Sequence, residues 1–330
     1  MKKTRWGIIS TAQIAKKQLI PAIQRSKNAV VAAIASRSDK VIGVADELNI
    51  PKAYKSYEDL LKDPDIDVVY IPLPNHLHKE WIVKAAEAGK HVLCEKPATL
   101  TAEEAKEAAA VCEKNNVKFM EAFMYQFHPQ HQRVRDIIAS GEIGDVKLMR
   151  ANFSFYLDPA SQNIRLNSDM GGGSIYDIGC YCIHSIRNII QAEPAEVRVD
   201  AEIYPVHRVD TTAVGYMELD NGVKAVFDCS FHASFSNVYE VVGTKGSIRV
   251  PRAYRPDRQG GEGLIIVEKE NEQRIESIVA DQYALQVEHF SDAVLHGKNP
   301  SYTSENMIQN MTVIEACYES IKQGKKISLK

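Results

Sequence analysis

A chain of 330 residues with 45% apolar and 25% charged side chains has ordinary globular composition, and it is long enough that two domains are expected in place of one core. Forty Lys and Arg against 43 Asp and Glu give a formal net charge of −3 with the signs interspersed, which argues against a nucleic-acid or anionic-membrane partner. No run of about 18 apolar residues marks a membrane span, the apolar run after Met1-Lys-Lys-Thr-Arg5 is too short for a signal segment, and a cytoplasmic protein is expected.

Residues 5–9 read as an apolar strand leading to Ser10-Thr11-Ala12-Gln13-Ile14-Ala15 and a helix to about Arg25, interrupted only by Pro21. Strand, tight turn and helix is how a dinucleotide-binding unit opens, with the pyrophosphate at the helix N-terminus. Ser10 and Ala12 stand where the G-x-G-x-x-G/A pattern has glycines, and Ala15 takes its close-packing slot. Small side chains keep the backbone near a phosphate, and the Ser10 and Thr11 hydroxyls can donate to it. Any buried strand–helix turn would look much the same.

The second strand, 30–35, ends at Ser36-Arg37, where an NAD site carries an acid for the ribose 2′-hydroxyl. A hydroxyl and a guanidinium suit a 2′-phosphate, which Arg grips bidentately. Asp39 nearby keeps NAD open, and the plain alternative is a surface arginine beginning the next helix.

A helix at about 41–48 and another opened by Ser56-Tyr-Glu-Asp59 in a capping-box-like pattern precede a third buried strand, Asp67–Ile71. It ends at Pro72-Leu73-Pro74-Asn75-His76-Leu77-His78, rich in turn formers, before a helix that stops at Gly89. His91-Val-Leu-Cys-Glu95-Lys96-Pro97 then reads as a strand halted by a charged pair and a proline. Ligands collect outside the carboxyl ends of parallel strands, so Lys96 is well placed for chemistry; the alternative is a solvated lysine paired with Glu95. A helix capped by Thr101 with Glu104 and a strand at Val117–Glu121 complete the alternation, which predicts a doubly wound parallel sheet over residues 1–123.

After Glu121 the grammar changes. One helix runs to about Ser140, and candidate strands follow at 146–156, 195–204, 211–219, 223–231, 239–243, 247–250, 263–268 and 274–279, with Asp220-Asn221-Gly222 a hairpin turn. Helices at about 281–296 and 304–322 finish the chain. Consecutive hairpins mean a mainly antiparallel sheet, so residues 124–330 are expected to form an α+β domain. Few helices remain to cover that sheet, and a face carrying Val223, Ala225 and Phe227 is expected to be buried by another subunit as a homodimer or homotetramer.

Between these strands, Gly171-Gly172-Gly173-Ser174 opens a helical stretch in which Asp177, Tyr181 and His184 are spaced i, i+4, i+7 and share one face. Such a face is either a buried structural network or the wall of a polar pocket; glycines that let the backbone approach a ligand favour the pocket. The six cysteines, Cys94, Cys112, Cys180, Cys182, Cys229 and Cys317, have neither disulfide-framework nor zinc spacing, so they are expected to be reduced and no metal is expected.

Taken together, Glu95-Lys96-Pro97, Pro74-Asn75-x-x-His78, Glu121-Ala-Phe-Met-Tyr125 and Gly171-Gly-Gly-Ser-Ile-Tyr-Asp177-Ile-Gly-Cys-Tyr181 resemble the Gfo/Idh/MocA-type oxidoreductases over essentially the whole chain. Tyr181, where many relatives have His, places the resemblance on the branch of dihydrodiol dehydrogenases, NADP-dependent xylose dehydrogenases and glucose–fructose oxidoreductases. The resemblance implies a Rossmann domain followed by a substrate-binding and oligomerisation domain. It also implies NADP as the preferred cofactor with NAD possible, and hydride exchange at a carbinol or carbonyl carbon of a sugar, cyclic polyol or diol. By position, Lys96 and Tyr181 match the catalytic pair and Asp177 a substrate-site carboxylate. Arg165, Tyr125 and His184 are expected substrate contacts, each with plain packing as its alternative. Ser10, Thr11, Ala12, Ile14, Ser36, Arg37, Leu73, Asn75, His78, Glu95 and Lys96 are the expected cofactor contacts. The same resemblance admits a glycoside-cleaving enzyme that oxidises transiently with bound NAD, and a dinucleotide-binding sensor without turnover; Ser36-Arg37 disfavours the first and Lys96 with Tyr181 the second.

Overall fold

The computed structural model describes residues 2–329, which divide into two compact units. One unit takes the chain as far as Met124 together with Tyr283–Gln309; the other takes Tyr125–Gln282 and the chain from Asn310 on.

The first unit is built on β1 (Thr4–Ile9), β2 (Ala29–Ala35), β3 (Lys52–Tyr54), β4 (Val68–Ile71), β5 (His91–Cys94) and β6 (Phe119–Glu121), all parallel, in the order β3-β2-β1-β4-β5-β6. Strand order reverses between β1 and β4, and a doubly wound sheet opens its ligand crevice at such a switch point, outside the carboxyl ends of the strands. Every residue of β4 is buried, as befits a strand covered on both faces. A π-helical stretch, Ala15–Leu19, runs into α1 (Ile20–Arg25); α2 (Val41–Glu47), α3 (Tyr57–Lys62), α4 (His78–Glu87) and α5 (Ala102–Lys114) alternate with the later strands. Ser56 caps α3 by accepting from the Asp59 amide at 3.1 Å. At α5, Thr101 accepts from the Glu104 amide at 3.1 Å while Glu104 accepts from the Leu100 amide at 3.0 Å, a complete capping box.

The helix expected at 281–296 is observed as α8 (Gln282–His296), and it packs with the first unit. Phe290 meets Trp6 edge to face with ring centroids 5.9 Å apart. The Thr4 hydroxyl donates to Ser291 Oγ at 2.8 Å, and the Tyr302 hydroxyl, further along the same return, donates to Glu121 at 3.1 Å. A boundary read from the order of elements alone assigns this return to the second domain; the buried aromatic pair assigns it to the first.

The second unit opens with α6 (Pro129–Ala139), β7 (Val146–Ser154) and, after a π-helical stretch at Ile175–Gly179, α7 (Cys180–Ile190). β8 (Pro194–Tyr204), β9 (Val209–Leu219), β10 (Lys224–Ser230), β11 (Ser236–Gly243), β12 (Ser247–Val250), β13 (Glu262–Lys269) and β14 (Glu272–Val279) follow, and α9 (Ser304–Gln323) leads to β15 (Ile327–Ser328). The nine strands lie in the order β14-β13-β12-β11-β7-β10-β9-β8-β15. β7 and β10 are parallel and the other neighbours antiparallel. Gly222 turns the β9–β10 hairpin at φ 84.

The alternation along β10 comes out on the face opposite to the one expected. Val223, Ala225 and Phe227 are buried within the chain itself, and the Phe227 ring fills the space over its cross-strand partner Gly215, where an added Cβ would lie 2.1 Å from a ring carbon. The less covered face carries Leu148, Val226, Val238, Val242, Leu264 and Ile266, all half-buried, with an Arg150–Glu240 ion pair among them. Alternation fixes which residues share a face; the packing of α7 fixes which face is inside.

Candidate active site

The site residues fall into two groups, one in each unit. In the first, Ser10 ends β1 at φ 107, a conformation that L side chains rarely adopt. Its amide donates to Ala35 O at 2.8 Å and its hydroxyl accepts from the Ala12 amide at 3.0 Å. The turn therefore has the backbone shape that glycine ordinarily provides, closed on itself by a serine side chain. Thr11, Ala12 and Ile14 follow, half-buried, as the helix begins.

At the end of β2, Ser36 is buried with its amide on Tyr54 O at 3.0 Å, whereas Arg37 is exposed. The Arg37 guanidinium lies 5.3 Å from the Tyr57 ring centroid and 5.9 Å from that of Trp81, so aromatic faces hold a cation in place beside the strand end. Two acids lie near it: Asp39, paired with Lys55 at 2.6 Å, and Glu58, which feels the Arg37 charge and lies 3.8 Å from Lys84.

His78 joins the next two turns. It is fully buried, with Nδ1 2.8 Å from Pro97 O and Nε2 2.7 Å from Leu73 O. Only an imidazolium donates to both carbonyls, but burial outweighs them and pushes His78 down to about 4, with Lys96 and His76 adding to the fall. The ring shapes the turns carrying Leu73, Asn75 and Lys96. Glu95 accepts from the buried Tyr70 hydroxyl, whose phenol burial and the adjacent carboxylate keep protonated. Lys96 follows, half-buried, on a cis peptide to Pro97. Glu121, at the end of β6 and 2% exposed, accepts from the Ala98 amide at 2.8 Å.

In the second unit, Asp177 lies in the π-helical stretch and accepts from Arg165 Nε at 2.6 Å; the Arg165 guanidinium is 5.9 Å from the Phe155 ring centroid. A carboxylate on β9, Asp210, is 1% exposed and sets the start of this stretch. It accepts from Ser174 Oγ and the Ile175 amide, both at 2.7 Å, and from the Tyr318 hydroxyl at 2.8 Å. Burial raises its pKa and those three donors oppose the rise. Gly173 approaches it closely: at φ 122, an added Cβ would lie 2.3 Å from Asp210 Oδ1.

Tyr181, 5% exposed, stands among aromatic rings, with Phe153 at 5.4 Å, Tyr254 at 5.5 Å and Tyr125 at 5.7 Å between centroids. Tyr125 and His184 form a buried pair behind it, the Tyr125 hydroxyl 2.5 Å from His184 Nδ1. Burial and Arg187 hold His184 well below its ordinary pKa, so the ring is neutral. The helix thus brings Tyr181 and His184 to one aromatic cluster, while Asp177, shifted by the π turn, joins Arg165. Sequence reasoning did not single out Asp210, Tyr254, Phe153 or Tyr302. A lone acid in the strand run Val209-Asp210-Thr211 was the available signal for Asp210; the aromatics read as ordinary core.

Two family models match the chain: "Oxidoreductase family, NAD-binding Rossmann fold" at residues 4–123 and "GFO/IDH/MocA C-terminal domain" at residues 131–249. D-xylose 1-dehydrogenase (NADP(+)) 2 of Haloferax volcanii is 39% identical over 98% of this chain and 99% of its own. Trans-1,2-dihydrobenzene-1,2-diol dehydrogenase of Xenopus laevis is 34% identical over 75% of each. Among solved structures, the 3-ketoreductase KijD10 of Actinomadura kijaniata, in complex with NADP and TDP-benzene, superposes with a TM-score of 0.91 at 30% identity, covering 97% of this chain and 98% of that one. The chain belongs to the GFO/IDH/MocA oxidoreductase family and is an NAD(P)-binding oxidoreductase. Among the described residues no group of His, Cys, Asp and Glu is arranged to hold a metal ion, all six cysteines are buried thiols outside any disulfide, and no helix is long and apolar enough to cross a membrane.

The approach of Gly173 to Asp210 yields a first prediction. Gly173→Ala imposes a positive φ on a side chain and displaces the carboxylate, and it should lower stability by about 2–4 kcal/mol, the sum of roughly 1 kcal/mol of backbone strain and 1–3 for an unmade buried hydrogen bond. Urea unfolding measures it; a loss under about 0.5 kcal/mol, the scale of an ordinary surface substitution, would show that the helix start does not depend on this contact.

Proposed function

We propose that this protein is an NADP-preferring dehydrogenase or reductase that exchanges a hydride with a carbinol or carbonyl carbon of a sugar, cyclic polyol or diol. The observation that carries the cofactor half is the end of β2, where Arg37 is held by two aromatic rings and the nearby acids Asp39 and Glu58 each have a lysine partner, Lys55 and Lys84. A 2′-phosphate needs a guanidinium, and this strand end offers one whose neighbouring carboxylates are matched by lysines. The closed Ser10 turn at the switch-point strand suits the pyrophosphate. The substrate half is supported by relatives named for xylose and a dihydrodiol and by a structural neighbour named as a 3-ketoreductase.

The cofactor, when bound, supplies the hydride acceptor or donor. The remaining chemistry belongs to the chain. As a hydride leaves the carbinol carbon, its hydroxyl proton has to go to a base, and the C–O bond becomes the carbonyl. Tyr181 takes this role in the proposal: its aromatic surroundings fix the ring, and its hydroxyl alternates between phenol and phenolate. A phenol is a poor base at neutral pH unless a cation favours the phenolate, and Lys96 is assigned that role. Asp177, steadied by Arg165 at 2.6 Å, is assigned to orient substrate hydroxyls. Tyr125 and His184, hydrogen-bonded to one another, are assigned to brace Tyr181. A second copy of the chain is proposed to cover the face bearing Leu148, Val226, Val238, Leu264 and Ile266, giving a dimer or tetramer.

Three outcomes test the reading. Arg37→Ala should weaken NADP+ binding by about 1.5–3 kcal/mol and leave NAD+ nearly unchanged in titration calorimetry; equal losses would remove the assignment of Arg37. With a panel of aldoses, inositols and cyclic diols followed at nicotinamide absorbance, Tyr181→Phe should lower kcat by about 10²–10⁴-fold while NADP+ binding stays almost intact. Lys96→Met should be as damaging, and the double variant less than additive. In the oxidising direction kcat should climb with pH to a plateau as the base deprotonates, a dependence lost in Tyr181→Phe; a variant that keeps turnover and profile refutes the role. For association, light scattering at micromolar concentration should report more than one subunit, and a monomer would refute it.

A further inference from the structure

Glu121 is a fully buried carboxyl group that the proposed reaction does not use. Its Oε1 accepts from the Ala98 amide at 2.8 Å and its Oε2 from the Tyr302 hydroxyl at 3.1 Å. Ala98 lies two residues past Lys96, and Pro97 between them presents its carbonyl to His78 Nδ1 at 2.8 Å. The turn carrying Lys96 is thus gripped on its amide side by β6 and on its carbonyl side by α4. A neutral acceptor would satisfy one amide and one hydroxyl at lower desolvation cost, so an ionisable group kept here calls for an electrostatic reason.

That reason is next to it. The charged and titratable groups facing Glu121 are Lys96 and Glu95 from the turn after β5, Cys94 from β5 itself and Tyr302 from the return segment, with Tyr70 of β4 bonded to Glu95. We propose that Glu121 is a positioning residue for Lys96: anchored on Tyr302, its carboxylate holds the Ala98 amide and so the turn from which Lys96 projects, and its charge sets the field at the Lys96 ammonium. The inference rests on the reading of Lys96 as the cation beside the reacting oxygen. Burial raises Glu121 to about 7, and Lys96 is among the groups that pull it down. The carboxyl therefore changes charge in the working range, and removing Lys96 must move its titration upward.

Full-length wild type, Glu121→Gln, Glu121→Ala and Lys96→Met are compared in three measurements. Amide exchange at Ala98 should be about tenfold faster or more in Glu121→Ala, as expected for the loss of a hydrogen bond to a charged group, and near wild type in Glu121→Gln, whose amide oxygen still accepts. Carbon NMR of labelled glutamate in the cofactor-free protein should show one carboxyl titrating near 7, absent in Glu121→Gln and moved up in Lys96→Met. Turnover should fall about 10–100-fold in Glu121→Ala, the scale of a misplaced catalytic group, with NADP+ affinity little changed, and Glu121→Gln, which keeps the acceptor and loses the charge, should recover only part of it. Unchanged Ala98 exchange in Glu121→Ala, or a carboxyl midpoint that ignores Lys96→Met, overturns the proposal. If Glu121→Ala does not fold, the titration in Lys96→Met still decides. Lys96→Met enzyme that keeps its turnover overturns the reading of Lys96 instead, and the exchange and titration results then judge the grip of Glu121 on the turn independently.

Discussion

A carboxylate taken out of water has to be met by donors, and in both units the donors that meet it belong to a turn carrying site residues. Asp210 draws in the Ile175 amide and the Ser174 hydroxyl, so the helix bearing Asp177 and Tyr181 starts where β9 dictates. Glu121 draws in the Ala98 amide, so the turn after Lys96 is tied to β6. In each case a tyrosine hydroxyl from a late part of the chain, Tyr318 or Tyr302, completes the shell. A buried charge with two or three short contacts tolerates little displacement, because moving any donor leaves it undersatisfied. A single acid in each unit thereby converts a flexible connection into a fixed one.

The turn after β1 shows a different solution to a similar need. With Ser10 and Ala12 in place of two glycines, the turn still takes a positive φ at Ser10. Such a conformation costs about 1–3 kcal/mol for a side-chain-bearing residue, and the Ser10 hydroxyl recovers part of it by accepting from the Ala12 amide. The pattern of glycines is therefore one way of writing a backbone shape, and the shape is what a dinucleotide reads.

How much of this was legible in the sequence follows from the range of the interactions involved. Strands 247–250 and 194–204, the Gly222 hairpin and the Thr101–Glu104 capping box are set by neighbours within a few residues, and alternation or cap chemistry exposed them. β3 and β15, three and two residues long, carry no period to detect. The covered face of β10 depends on where α7 packs, so Val226 and not Phe227 lies toward the open side. The place of α8 depends on Phe290 meeting Trp6 across most of the chain. For the site, residue types and spacing brought out Lys96, Asp177 and Tyr181. The π turn that sends Asp177 to Arg165, and the carboxylates that pin each turn, arise from contacts between distant segments.

The two buried titratable groups on either side of the Lys96 turn also balance one another. Burial lowers His78 from 6.5 to about 4 and raises Glu121 from 4.5 to about 7. For His78, the unfolded chain takes up a proton that the folded one refuses, so its contribution to stability is lost as pH falls from about 6.5 to 4. For Glu121 the folded chain holds the proton longer, so its contribution is full below about 4.5 and lost as pH rises to 7. Each displacement is about 2.5 in pKa, worth roughly 3 kcal/mol, with opposite sign across the shared window from 4.5 to 6.5. There the two slopes largely cancel, and both groups are neutral around the turn that carries Glu95 and Lys96. Above 7 Glu121 ionises and the ammonium gains a buried counter-charge; below 4 His78 protonates and gains the second carbonyl it faces. The turn is held by neutral hydrogen bonding through the mildly acidic range and by a charge-assisted contact at either end, so its grip is kept while the electrostatic setting of Lys96 changes.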